Sequence, residues 1–352
     1  MKKATKIVLI SLFSVIGVLT ILLITAVCVL HGRISSMNSV KEKGLGFYTM
    51  NYKQNYHLDK ALKSEIKTTQ DLWKFISKDI YFGKKIEGNE MKYACSAFTT
   101  TTPDGKQVAG RNFDLSHTDT LCLYTHPKDG YASYSTVATD MVMVGTSSKY
   151  SATSFKGKMA LLAAPYLCVD GMNEKGLTAS LLDMSKNETH METGKPDLIV
   201  SLAIRLLLDR AATVDEGINL LKNYDIQTAH GWTQHIFIAD KSGDSAIVEW
   251  VNNEMKVVKY NACTNFTMSD PTLDGNYIGQ CERFDKIDNA LKEKETNTVE
   301  DAFNILDSVK QDRWQAGSFT EWSVVFNLSD FTIDYAIDRD YSNIYHLEAK
   351  DF

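Results

Sequence analysis

Residues 93–115 read Tyr93-Ala94-Cys95-Ser96-Ala97-Phe98-Thr99-Thr100-Thr101-Thr102-Pro103-Asp104-Gly105-Lys106-Gln107-Val108-Ala109-Gly110-Arg111-Asn112-Phe113-Asp114-Leu115. Two strand-like runs flank a Pro-Asp-Gly turn, the pattern of a β-hairpin. A hairpin of that shape brings Arg111 and Asp114 back beside Cys95, so a nucleophile, a cation and a carboxylate share one place. A cation lowers a thiol pKa, and a carboxylate can hold the base that removes the proton. A buried structural cysteine flanked by two surface charges has the same local sequence, because free cysteine is among the most buried residue types. The hairpin alone leaves both readings open.

Upstream, Ile7 to Leu30 is 24 residues without a charge. At 1.5 Å per residue, a helix of that length crosses a hydrocarbon core of ~30 Å. Lys2, Lys3 and Lys6 precede it, which by the positive-inside rule leaves residues 1–6 as a cytoplasmic tail and the remainder outside. A cleaved signal peptide is the alternative, but its apolar region normally runs ~7–15 residues. Residues 7–30 therefore read as an uncleaved signal-anchor. His31 to Tyr56 is polar and weakly patterned and reads as a tether. Thr68-Thr69-Gln70-Asp71 opens an amphipathic helix carrying Leu72, Trp73, Phe75, Ile76 and Ile80.

Downstream, strands are expected over Thr120–Thr125, Tyr134–Val144 and Thr178–Met184. Helices follow at Leu198–Arg210 and from Thr213, where a capping box opens a helix to Tyr224. Three strands (His235–Asp240, Ser245–Val251, Met255–Tyr260) precede two helices (Glu282–Lys292, Val299–Gln311). A final meander covers Trp322–Leu328, Thr332–Ile337 and Ile344–Leu347. Strands mostly adjacent to strands, with helix pairs between them, indicate an α+β fold of antiparallel sheets with helical layers. The net charge of −6 leaves no basic surplus for phosphates, so nucleic acid is not an expected partner. The cysteines at 28, 95, 122, 168, 263 and 281 form no CxxC pair and the histidines are scattered, so no metal site is expected, and no cofactor motif occurs.

Cys95, Gly110-Arg111-Asn112-Phe113-Asp114 and Asp170-Gly171-Met172-Asn173-Glu174-Lys175-Gly176-Leu177 together resemble the choloylglycine hydrolase family of N-terminal nucleophile hydrolases, which includes bile salt hydrolases and penicillin V acylases. Thr264-Asn265 and Glu282-Arg283-Phe284 resemble two later motifs of that family. The resemblance runs from Cys95 to the C-terminus and implies a four-layer αββα sandwich of two antiparallel sheets over 95–352. It further implies hydrolysis of a linear N-acyl amide of small size through a thioester on Cys95, without cofactor. Arg111, Asp114, Asn265 and Arg283 complete the implied catalytic set, with Asp114 holding the Cys95 amine and Asn265 donating to the oxyanion.

The family's cysteine is the mature N-terminus, so residues 31–94 read as tether plus propeptide, with autocleavage between Ala94 and Cys95. The mature domain then either stays anchored or is released, and a homo-oligomer is left open. At one position the chain departs from the pattern: Leu182-Asp183-Met184 stands where the relatives carry an oxyanion-hole Asn, and an ionised carboxylate cannot donate. Asp183 reads as a site carboxylate tuning substrate choice or as a strand-end residue. Asn173 reads as an oxyanion candidate or as the holder of its Gly-rich turn. Tyr131 and Tyr134 suit either an acyl pocket or the core. An acyltransferase using the same acyl-enzyme, or a non-catalytic anchored binding protein, are the remaining alternatives.

Overall fold

The computed structural model describes residues 2–44, 46–84, 86, 94–143, 150–184, 191–228, 233–270, 272, 281–312 and 319–352, with 2–10, 28 and 29 described for their backbone only. Helix α1 (Lys2–Asn38) is followed by strands β1 (Lys41–Gly44) and β2 (Phe47–Tyr52) and helices α2 (Leu58–Leu62) and α3 (Thr69–Asp79). Next come β3 (Ala94–Thr101), β4 (Gln107–Leu115), β5 (Thr120–Thr125), β6 (Ser133–Ala138) and the short helices α4 (Thr139–Val142) and α5 (Phe155–Ala160). A 3-10 segment, Leu161–Tyr166, leads to β7 (Asp170–Asn173), β8 (Leu177–Asp183), β9 (Asp197–Ile199), α6 (Val200–Arg210), α7 (Val214–Leu221) and β10 (Asp225–Gln227). Then follow β11 (Gln234–Asp240), β12 (Ser245–Val251), β13 (Glu254–Val258), β14 (Ala262–Cys263), α8 (Glu282–Glu293) and α9 (Val299–Ser308). The chain closes with β15 (Phe319–Asn327), β16 (Thr332–Ile337) and β17 (Tyr345–Leu347).

Among the described residues the strands form two large sheets, β1-β2-β5-β6-β7-β8-β11-β12-β13 and β14-β3-β4-β15-β16-β17, and a separate two-stranded one, β10-β9. Strand β3 of the second packs on β8 of the first; α6 and α7 cover the outer face of the nine-stranded sheet, and α8 and α9 that of the six-stranded sheet. This is the αββα layering and the α+β class expected. Pairing within the large sheets is antiparallel except where β2 runs parallel to β5. Strand β2 of that parallel pair belongs to the segment ahead of Cys95.

Residues 31–56 are not a tether here. Phe47, Met50, Tyr52 and Tyr56 are buried, and β2 lies inside the nine-stranded sheet. Short length and charged flanks hide these strands from pattern reading, while tertiary pairing fixes them. Helix α3 starts as its sequence suggests, with a full capping box between Thr68 and Asp71. Elsewhere several boundaries move, among them the end of α9 at Ser308 and the start of β15 at Phe319. Residues 197–199 form β9, paired in parallel with β10, so helix α6 begins only at Val200. The strand expected from Tyr134 ends at Ala138 and gives way to α4; Val144 lies outside the described residues. At α7, Thr213 accepts from the Glu216 N–H, but Glu216 turns back to the Ala212 N–H, and the helix ends at Leu221.

Helix α1 is long and apolar enough to cross a membrane by length and composition, with a mean hydropathy of 2.8 over an 18-residue window within Ser11–Asn38 and exposed side chains that include Leu12, Phe13, Leu19, Leu23 and Val27. Its last turns dock on the body: Arg33 donates to the carbonyls of Ile80 and Asp79 and stacks over the Phe82 ring.

Candidate active site

The Pro-Asp-Gly turn is built as the sequence implies. Gly105 takes φ +82°, a left-handed value that favours glycine, and the Thr102 hydroxyl accepts from the Lys106 N–H at 3.0 Å. The register that follows pairs Ala94 with Asp114, Cys95 with Phe113 and Ala97 with Arg111. Because side chains alternate across a strand, Cys95 and Arg111 share the inner face, while Ala94 and Asp114 share the outer one. The hairpin therefore does bring the three residues together, but on two sides of a sheet.

On the inner face, Arg111 Nη2 lies 3.3 Å from Cys95 Sγ and donates to the Leu181 carbonyl at 2.7 Å. Its Nε sits 2.6 Å from Asp170 Oδ2, with both side chains at most 1% exposed, so a buried ion pair from β7 aims the guanidinium. Arg111 Nη1 is buried without a hydrogen-bond partner among the described residues. On the outer face, Asp114 accepts from the Thr320 hydroxyl at 2.6 Å and meets Arg283 Nη1 at 3.4 Å. Arg283, from the first turn of α8, also donates to the Cys95 carbonyl at 2.7 Å and to Asn265 Oδ1 at 2.8 Å. Asn265 Oδ1 accepts from the Cys95 backbone N–H at 2.8 Å, and its Nδ2 donates to the Asp183 carbonyl at 2.5 Å. The nitrogen of Cys95 is thus held by Asn265, whereas Asp114 reaches it only through Arg283. Strand parity is what puts the Asp114 carboxylate on the Arg283 side of the sheet.

Asp183, at the end of β8, accepts from Gln234 Nε2 at 2.7 Å and lies close enough to Cys95 to disfavour its thiolate. Asn173 is not at the site. Its Nδ2 donates to the carbonyls of Leu208 and Ala211, and its Oδ1 accepts from the N–H groups of Lys175 and Leu177, so every polar atom is spent on its turn and the end of α6. Tyr134 is core, packed against Phe331 and Phe352.

Burial dominates the electrostatics. It pushes the Cys95 thiol up to about 12 in this uncut chain; Arg111 pulls the other way, and Asp114 and Asp183 add to the rise. Arg111 alone therefore does not make a thiolate. Burial likewise lifts Asp114 to about 6 against the pull of Arg283 and the Thr320 hydrogen bond. Cys95, Arg111 and Asp114 are buried, while Asn265 and Arg283 are partly exposed, so the cluster meets solvent at the Asn265–Arg283 end.

Sequence reading missed two supports. One is the Asp170–Arg111 pair; Asp170 stands within a quoted motif, but only the fold reveals its partner. The other is His235, fully buried between Glu249 Oε1 at 3.0 Å and the Thr264 carbonyl at 2.8 Å. Glu249 also accepts from the N–H groups of Met268 and Ser269, which pins both flanks of Asn265. Among the described residues no group of His, Cys, Asp and Glu could hold a metal ion, and Cys95, Cys122, Cys168, Cys263 and Cys281 are unbridged.

Comparison with known proteins agrees with this architecture. The fold matches a conjugated bile acid hydrolase from Clostridium perfringens (TM-score 0.55, 17% identity, 73% of this chain and 93% of that one). It also matches penicillin V acylase from Agrobacterium tumefaciens (TM-score 0.54, 19% identity, 73% and 86%). The fold is that of the N-terminal nucleophile hydrolases. The model of the linear amide C–N hydrolases, choloylglycine hydrolase family, matches residues 95–275 and so begins at Cys95. The chain belongs to the choloylglycine hydrolase family, whose members hydrolyse linear amides. A penicillin V acylase from Pectobacterium atrosepticum is 27% identical over 208 residues, 53% of this chain; the chain spans about half the length of that curated relative.

Proposed function

We propose that this chain is a cysteine amidohydrolase that cleaves linear N-acyl amides and activates itself by breaking the Ala94–Cys95 bond. The observation that carries the reading is the convergence of Arg111, Asn265 and Arg283 on the thiol, nitrogen and carbonyl of one residue, Cys95. In activation, Cys95 Sγ attacks the Ala94 carbonyl carbon. The C–N bond breaks, the thiol proton passes to the departing nitrogen, and water hydrolyses the thioester to leave an Ala94 carboxylate. The product amine, with an ordinary pKa of ~7.7–8, supplies the base that the buried thiol lacks.

In turnover, the thiol repeats the attack on a substrate amide while Arg111, aimed by Asp170, favours the thiolate. Asn265 Oδ1 orients the amine, Asp114 fixes Arg283, and Asn265 Nδ2 serves the oxyanion once a substrate oxygen replaces the Asp183 carbonyl. A single donor of this kind is worth ~3–4 kcal/mol of barrier. Similarity to a penicillin V acylase and a bile acid hydrolase makes phenoxyacetyl and conjugated bile amides the first substrates to assay. Helix α1 is read as the anchor, with Lys2, Lys3 and Lys6 inside and residues 31–352 on the extracytoplasmic side.

The test is the intact mass of wild type against Cys95→Ala, with a panel of N-acyl amides. Cleavage before Cys95 and amide turnover are expected in the wild type alone. An uncut wild-type chain inactive on the whole panel sinks the proposal.

A further inference from the structure

We infer that the segment ahead of Cys95 is a permanent subunit: once the Ala94–Cys95 bond is broken, residues 1–94 remain bound to 95–352, and the mature enzyme is a two-chain, membrane-held protein. The inference rests on the cleavage proposed above, but its structural basis does not. Strand β2 is an interior strand of the nine-stranded sheet. It pairs with β5 over six residues, from Phe47↔Thr120 to Tyr52↔Thr125, and with β1 on its other side. The Gly46 carbonyl accepts from the Thr120 N–H, and the Ile66 carbonyl accepts from the Ile199 N–H at 2.8 Å, so a second stretch of backbone is shared across the future cut.

Side chains interlock the two parts as well. Tyr52 donates to the Leu162 carbonyl at 2.8 Å, and Tyr166 donates to the Tyr56 carbonyl at 2.7 Å. Tyr56 donates to Asp209 Oδ2 at 2.6 Å, and Asp209 is the carboxylate paired with the fully buried Arg205. Departure of the leader would bare a long edge at β5 and strip a buried ion pair of its cover. Both are costs that the cut itself does not offset. No bond in this network is the scissile one. The leader also carries α1, so the partner held is the anchor itself.

The experiment uses the full chain with an affinity tag at its C-terminus, extracted from membranes in mild detergent, captured, and resolved on a denaturing gel. Two fragments meeting at Ala94 and Cys95, captured one-to-one and separating only in denaturant, are the expected result. A catalytic fragment in the medium, or captured without the leader, overturns the inference. A single uncut band counts against the cleavage reading alone. In that case co-expression of 1–94 and 95–352 as separate polypeptides decides: joint capture supports the inference and capture of 95–352 alone overturns it. In the same split pair, Phe47→Asp, at a fully buried β2 position, is expected to abolish joint capture; undiminished capture overturns the role given to β2.

Discussion

Replacing Asp170 by Asn removes one charge from a pair with no access to water. Arg111 and Asp170 are at most 1% exposed, their charged atoms stand 2.6 Å apart, and Trp322 Nε1 leans on the same carboxylate oxygen at 3.3 Å. Burial pushes the Asp170 carboxyl up, and Arg111 is the main influence pulling it back. The amide of Asp170→Asn preserves shape but leaves a buried guanidinium uncompensated, a loss of about 3–5 kcal/mol. For a chain of this size that lowers the melting temperature on the order of 10 °C. Freed of its anchor, Arg111 no longer holds Nη2 beside Cys95 Sγ, and misplacement of ~1 Å costs roughly 100-fold in rate. Thermal unfolding in detergent reads the first effect, and the time course of cleavage before Cys95 reads the second. The double change Arg111→Met with Asp170→Leu should regain most of the stability, because apolar isosteres replace buried pairs at little cost, yet leave cleavage slow. If Asp170→Asn stays within ~1 kcal/mol of wild type, or the double change is no more stable than the single one, the reasoning is refuted.

Three further outcomes are expected. Asp114, lifted to about 6, keeps its proton in the folded chain where the unfolded chain has lost it; stability should therefore fall as pH rises from about 4 to about 6, by about 3 kcal/mol, and Asp114→Asn should flatten that segment of a chemical-denaturation series. Asn265→Ala should lower kcat for amide hydrolysis ~100- to 1000-fold with little change in KM, and an unchanged kcat removes Asn265 from the oxyanion role. Asp183→Asn takes away a charge that disfavours the Cys95 thiolate, so the pH profile of Cys95 alkylation should move to lower pH; a profile that stays put, or moves up, contradicts that electrostatic account.

The hairpin was readable because its determinants are local: a turn that needs Gly105 at positive φ, and two alternating runs whose residue count sets the register. The helix start at Thr68 was readable for the same reason, since its capping box lies within four residues. The features that escaped are non-local. Phe47–Tyr52 is too short to declare itself, and only β5, some 70 residues on, makes it a strand. Asp197–Ile199 has a helix-like flank and is claimed by β10 instead. Arg111–Asp170, Arg205–Asp209 with Tyr56, and His235–Glu249 are charged or polar groups whose burial no local pattern announces. Strand parity was available in the sequence, and applied strictly to residues 94–114 it puts the Asp114 side chain on the opposite face from the Cys95 thiol.

The parallel pairing of β2 with β5 also bears on the order in which the chain is made. Ribosomes release the N-terminus first, so α1 and β2 are synthesised before any strand of residues 95–352. Strand β5, which must find β2, emerges after the Cys95 hairpin. The leader is therefore already available for pairing when β5 emerges. A recombinant chain begun at Cys95 would keep every residue of the proposed site but lack β1 and β2, with β5 left as an unpaired edge inviting self-association. Poor solubility of such a truncation would report on assembly order, not on the fitness of the active site.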